Sequence, residues 1–379
     1  MKIFVSYANM DESRVRELVD ILRDAGHDLW FEQQLEAIQS CDCFLYVLTP
    51  ESVESRWCQW AFAQAVHAGK SIIPVLVQPN TPLSGILNRI PHIDFSHGSG
   101  AAAKLLDAVM VGQVIAPDSV TNILPPPFDW VEIPAGRVML ETCDYDRHFS
   151  YLKHDTAFEV PAFAIARYPV TNAQYAKFVE AGGYHQEKWW TAAGWEARNQ
   201  GVTWQGRGRG WEPTGIPWTE PANWPGEAEH PVVGISWYEA VAFCQWLSAV
   251  SGEMVILPTE QQWQRAAQGD DGRVYPWGNR KPDRELCNFG ENVDQITPVT
   301  QYPKGASPYG VMDMSGNVPD YTRTAYRTGD TALDGDAHRC IRGGAFGDNP
   351  ISLRVAARVD HNPWDRDSAL LGFRVALTQ

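Results

Sequence analysis

The chain has 379 residues, 44% hydrophobic and 11% aromatic, which is too long for one typical domain and rich enough for two or three buried cores. A net charge of −15 at pH 7 would repel a phosphate backbone and argues against nucleic-acid partners. No apolar run reaches membrane-spanning length, no secretory leader precedes the strand-like Ile3-Phe4-Val5, and seven scattered cysteines form no disulfide framework, so the expectation is a reduced, cytoplasmic protein.

In chain order, residues 1–115 alternate apolar strands (2–7, 29–31, 43–48 and 72–77) with helical patterns. Val15, Leu18, Val19 and Leu22 fall on one helical face that Gly26 ends, and a last helix is expected over 101–111. Continuous apolar strands of this kind belong to buried parallel sheets. The expected fold class here is α/β, a doubly wound parallel sheet. The blocks Phe4-Val5-Ser6-Tyr7, Leu48-Thr49-Pro50, Ser55-Arg56-Trp57-Cys58 and Ile72-Ile73-Pro74-Val75 resemble a Toll/interleukin-1 receptor (TIR) domain over roughly the first 97 residues. That resemblance implies an NAD-cleaving glutamate four residues after the tryptophan, where this chain has Ala61. The usual loop after the second strand is reduced to Glu32-Gln33-Gln34. The expectation is therefore a degenerate TIR-like domain retained for scaffolding or docking. Cys41 and Cys43 read either as half a metal site or as buried thiols.

Residues 116–127 end in Pro125-Pro126-Pro127 and are expected to form a stiff, extended linker. From 128 to 379 the pattern changes. Capping boxes Thr171-x-x-Gln174, Ser236-x-x-Glu239 and Thr259-x-x-Gln262 predict helices over 172–181, 237–250 and 260–267, set among Gly, Pro and Trp residues, which indicates an α+β domain. Eight tryptophans between 184 and 237 read either as a binding loop or as pins holding irregular chain on the core.

Several blocks of this half occur in order, among them Tyr168-Pro169-Val170-Thr171-Asn172, Gly310-Val311-Met312-Asp313-Met314-Ser315-Gly316-Asn317-Val318, Arg342-Gly343-Gly344 and Gly372-Phe373-Arg374. With them the half resembles the formylglycine-generating enzyme family, whose domain is a variant of the C-type lectin fold. The resemblance implies a copper-binding cysteine pair after Arg-Gly-Gly, but no cysteine lies between Arg342 and Gln379, and Cys340 stands alone before the motif. The iron-dependent relatives imply a His-x3-His-x-Glu set, which His148 and His154 do not match. The expectation is a protein that is not an enzyme and requires no cofactor. Structural calcium, implied by the resemblance, would use Asp320, with Asn288 and Asp294 as a second set; the alternative for Asp320 is a turn satisfied by backbone amides.

Without the catalytic thiols, the terminal segment 342–374 also resembles that of the variable proteins of diversity-generating retroelements, in which adenine-directed copying rewrites chosen codons. The resemblance implies a variable ligand-binding surface at Phe346, Gly347, Asp348, Ile351, Ser352, Val359, Asp360, His361, Asp365, Ser368, Ala369 and Leu370. Asn349, Arg354, Asn362, Pro363, Trp364 and Arg366 would be framework, with Trp364 as a ligand anchor. The ligand is unspecified, a protein among the candidates, and the TIR-like half would have a partner of its own. The alternatives left open are a signalling effector with a fixed-ligand sensor and a divergent oxidase or NADase.

Overall fold

The computed structural model describes residues 1–8, 12–31, 35–83, 87, 91–96, 101–111, 120–141, 151–152, 155–204, 211–224, 226–290, 292–293, 295–366 and 370–377. Two compact units divide the chain: Met1–Ile123 with Leu247–Glu253, and Leu124–Trp246 with Met254–Gln379. Among the described residues no helix is long and apolar enough to cross a membrane.

The first unit runs β1 (Lys2–Ser6), α1 (Glu12–Asp24), β2 (Asp28–Trp30), α2 (Leu35–Ser40), β3 (Cys43–Leu48), α3 (Pro50–Glu54), α4 (Arg56–His67), β4 (Ser71–Leu76), β5 (Ile93–Asp94) and α5 (Ala102–Val111). Its strands form one parallel sheet in the order β2-β1-β3-β4-β5. Successive strand side chains point to opposite faces, so Ile3, Val5, Leu45 and Val47 meet Val15 and Leu18 of α1 and Leu105 of α5. Phe4, Phe44, Tyr46 and Leu48 meet Ile38 of α2 and Cys58 and Phe62 of α4 on the other face. The sheet is doubly wound, as its sequence implies. Ala61 lies in this second layer with no exposed surface. Cys41, Cys43 and Cys58 are buried and in no disulfide, and burial pushes the Cys43 thiol up to about 12, so these cysteines act as small core residues.

The expected linker departs from an extended spacer where it is described. α6 (Val120–Ile123) is a single helical turn, and the carbonyls of Pro125 and Pro127 accept hydrogen bonds from Gln174 Nε2 at 3.0 and 2.7 Å. Residues 116–119 lie outside the described residues.

The second unit contains β6 (Trp130–Ile133), β7 (Gly136–Leu140), β8 (Thr156–Val160), β9 (Phe163–Ala166), α7 (Asn172–Glu180), α8 (Ala192–Gln200), β10 (Val202–Trp204), β11 (Trp211–Pro213), α9 (Trp237–Ser251), β12 (Val255–Ile256), α10 (Glu260–Gln268), β13 (Asp320–Ala325), β14 (Arg339–Arg342), β15 (Arg358–His361), β16 (Gly372–Phe373) and β17 (Ala376–Leu377). Two four-stranded sheets, β12-β17-β9-β6 and β15-β14-β13-β16, are joined by long irregular stretches. All three capping boxes form. The Thr171, Ser236 and Thr259 hydroxyls accept the amides of Gln174, Glu239 and Gln262, whose side chains return bonds to the cap amides. Trp189, Trp190, Trp218 and Trp237 are buried, so pinning is the role of these tryptophans.

Candidate functional site

The terminal segment is fastened by four buried arginines. Arg342, ending β14, donates to Glu260 Oε1 at 2.7 Å, to Gln264 Oε1 at 2.6 Å and to the Val355 carbonyl. Arg358, opening β15, holds both oxygens of the same carboxylate at 2.7 and 2.8 Å. Glu260 is fully buried at the first position of α10, where the helix N-terminus favours negative charge, and it also accepts from Cys340 Sγ and Tyr151 Oη. Burial alone would raise its pKa, but the Arg342 and Arg358 guanidiniums hold it down to about 2. Arg366 grips both oxygens of Glu239, the reciprocal partner in the α9 capping box, and Arg374 donates to Asp320 Oδ2 at 2.6 Å and to the carbonyls of Met312 and Asp313. Gly344 closes the first turn at φ 72°, and a Cβ there would lie 2.9 Å from the Ser352 carbonyl oxygen.

Between these fastenings the candidate residues behave differently from one another. Gly347, Ile351 and Val359 are exposed, the last two at 74% and 51%. Phe346, Ser352 and Leu370 are half-buried. Asp348 Oδ2 accepts the Ala345 amide at 2.8 Å and so closes its own turn. Asp360 pairs with His338 at 2.9 Å and Arg327 at 3.6 Å, and His361 pairs with Asp365 at 2.8 Å. Ser368 and Ala369 lie outside the described residues. Of the framework positions, Arg366 and Pro363 are buried, while Arg354 and Asn349 are exposed.

Trp364 alone of the predicted residues borders a cleft of about 430 Å³ whose other walls include Glu196 and Gln200 of α8, Val202 of β10, Tyr238 of α9, and Asp336. Tyr238 Oη donates to the Gly335 carbonyl at 2.8 Å and accepts from the Trp364 indole. These walls were missed in the sequence because they come from four separate stretches with no shared motif. Glu239, Glu260 and Arg358 were also missed as anchors. The sole signal for them was an acidic residue inside two capping motifs beside a tail rich in arginine.

Asp320, the expected calcium ligand, is 1% exposed; its Oδ2 accepts from Arg374 and from Trp263 Nε1 at 2.8 Å, where the guanidinium opposes a cation, while its Oδ1 has no hydrogen-bond partner. Asn288 is likewise fully buried with an unpartnered Oδ1, so each side chain has a hard oxygen donor available. Asp294, His148 and His154 lie outside the described residues. Among the described residues no three His, Cys, Asp or Glu side chains gather as a metal cluster.

A family model for the sulfatase-modifying factor enzyme 1-like domain matches residues 120–379, more than half of the chain. The chain belongs to this family. A TIR domain model matches residues 3–109, ahead of the sulfatase-modifying factor-like half. Among curated relatives, "Hercynine oxygenase" of Mycobacterium tuberculosis is 33% identical over 238 residues, covering 58% of this chain and 53% of that protein. The chain thus spans about half the length of the hercynine oxygenases it matches. "Inactive C-alpha-formylglycine-generating enzyme 2" of Mus musculus is 32% identical over 287 residues, covering 65% and 84%. The solved structure "Treponema denticola variable protein 1" superposes with a TM-score of 0.47 at 20% identity, over 66% of this chain and 95% of that one. One expectation is corrected by these relatives. Absence of a cysteine pair does not by itself mean no enzyme: the sulfatase-modifying factor-like half is shared, at a third identity, with proteins named as oxygenases. Loss of one member's catalytic thiols removes one chemistry and leaves others of the fold untouched.

Proposed function

We propose that the sulfatase-modifying factor-like half is a ligand-binding domain whose working surface is the terminal segment, diversified in the manner of retroelement variable proteins. The observation carrying this reading is the anchoring just described: Arg342, Arg358, Arg366 and Arg374 are buried on carboxylates of other elements, while Gly347, Ile351 and Val359 between them are exposed. A fold locked by its arginines tolerates exchange of what lies between them. Large exposed apolar residues on such a surface suit a protein ligand. The TIR domain is the docking or assembly module of the same reading, and a calcium ion at Asn288 belongs to it as a structural support. The test is to sequence the surrounding DNA for a near-copy of codons 342–374 that differs only at adenines, beside a reverse transcriptase gene. Its presence makes the surface a diversified one; its absence returns the segment to a fixed ligand.

A catalytic reading is favoured by the hercynine oxygenase relatives. It expects oxygen uptake by the purified chain supplied with iron(II), hercynine and a cysteine-type thiol as sulfur donor, and no uptake above the rate of metal and thiol without the chain removes it.

A further inference from the structure

The cleft beside Trp364 has a one-sided chemistry. Its floor is apolar or aromatic, with Ala197, Val202 and Tyr238 all buried and Trp364 half-buried. Its polar groups are the exposed carboxylates of Glu196 and Asp336 and the amide of Gln200, which donates to Glu196 Oε1 at 2.9 Å. Among the described residues no lysine, arginine or histidine lines it. Arg339, whose charge is felt at Tyr238, lies 3.8 Å over the Trp237 ring and donates to the carbonyls of Arg323 and Ala332. Burial holds the Tyr238 phenol neutral, and it offers ring surface rather than charge.

Aromatic walls under carboxylate rims attract organic cations. A cation over such a ring gains on the order of 0.5–2 kcal/mol depending on its desolvation, and the carboxylates supply the directional partner. A molecule of net charge −15 adds a long-range pull of the same sign. The volume suits an apolar stem of four or five atoms carrying its head group, with room for an adjoining amide.

We infer that this cleft binds an ammonium or guanidinium head on an apolar stem of lysine or arginine length, supplied either by a side chain of a protein ligand or by a free amine. The assignment rests on the ligand-binding reading above and goes beyond it in naming the chemistry and in placing α8, outside the terminal segment, in the site. The stem lies along Val202 and Ala197, and the head sits against Trp364 between Glu196 and Asp336.

Calorimetric titration of the full chain tests this with four probes: Nα-acetyl-lysine methylamide, Nα-acetyl-arginine methylamide, cadaverine, and the uncharged Nα-acetyl-norleucine methylamide. At least one cation is expected to bind ten-fold or more tighter than the norleucine compound, and more weakly as salt is raised. Capped residues binding better than cadaverine identify a protein side chain as the source; the reverse order identifies a free amine. The double variant Glu196→Gln, Asp336→Asn alters two exposed side chains, so its melting temperature should match the parent while its cation affinity falls at least ten-fold. Equal affinity for norleucine, no binding by any cation, or a double variant that binds as the parent does would each overturn the assignment. The DNA test is independent: an adenine-differing copy with a failed titration keeps the surface reading and removes the cation. A successful titration without that copy keeps the cation and removes diversification.

Discussion

Glu260 is one buried carboxylate facing two buried guanidiniums, and breaking such a group from one side is far more costly than its net worth suggests. Glu260→Gln would leave Arg342 and Arg358 buried over a neutral amide, and the expected loss is about 3–5 kcal/mol, read as a lowered midpoint in urea for the second unit. The folded chain binds this proton less readily than the unfolded chain does, with a pKa of about 2 against an ordinary 4.5. Its stabilisation is therefore complete above about pH 4.5 and is lost as pH falls toward 2. Asp313 acts in the opposite sense. Burial raises its carboxyl to about 7 despite the bond from Asn317 Nδ2 at 3.0 Å, so this group lowers stability as pH rises from 3.8 to 7. Asp313→Asn removes that decline and also suits the residue's φ of 52°. The variant should melt higher than the parent at pH 7.5, by about 1–3 kcal/mol, and should match it near pH 4. A lower melt at pH 7.5 would mean that the ionised form is needed.

At the scale of elements, the helix starts were legible and their second use was not. A Thr or Ser three residues before Gln or Glu announces a helix whatever surrounds it, because both halves of the box are local. Thr259→Ala should cost about 1 kcal/mol, the worth of a cap, while the neighbouring Glu260→Gln costs several times more; equal costs in the same urea series would contradict the division. That Glu239 and Glu260 reach arginines 127 and 98 residues away depends on tertiary contact and has no local signature. Asp320 shows the same limit: its position in the block suggested an oxygen donor, while its ion-pair partner Arg374, 54 residues distant, has no local signature. Gly316 was legible as part of a block but not in its role: φ is 82°, and a Cβ would lie 2.3 Å from the Asn288 carbonyl oxygen. Gly316→Ala should therefore destabilise by more than the ~1–2 kcal/mol of a left-handed residue alone, and calcium should raise the melting temperature of the parent more than that of Asn288→Ala.

For the whole molecule, the first unit is the more readable because its apolar runs alternate between two helical layers, and period-two burial follows from strand geometry alone. The second unit carries its organisation in irregular chain fixed by buried aromatics and ion pairs, which leave no periodic trace. Two units with separate cores should give two calorimetric transitions. Ala61→Glu places a carboxylate in the fully buried layer of the first unit and should lower only that transition, by about 3 kcal/mol or more, with no gain of NAD cleavage.

The arginine anchors also impose an order on the making of the protein. Glu239, Glu260 and Asp320 are all translated before the arginines at 342, 358, 366 and 374 that neutralise them. A nascent chain that has reached only residue 335 holds three carboxylates without their counter-charges, and burying them uncompensated is too costly. The second unit must then wait, open to proteases and chaperones, until the terminal segment arrives to close it. A ribosome stalled between Asp320 and Arg342 would thus expose a half that the cell can recognise as unfinished, so the segment that varies in the proposed function would double as the signal that synthesis of the domain is complete.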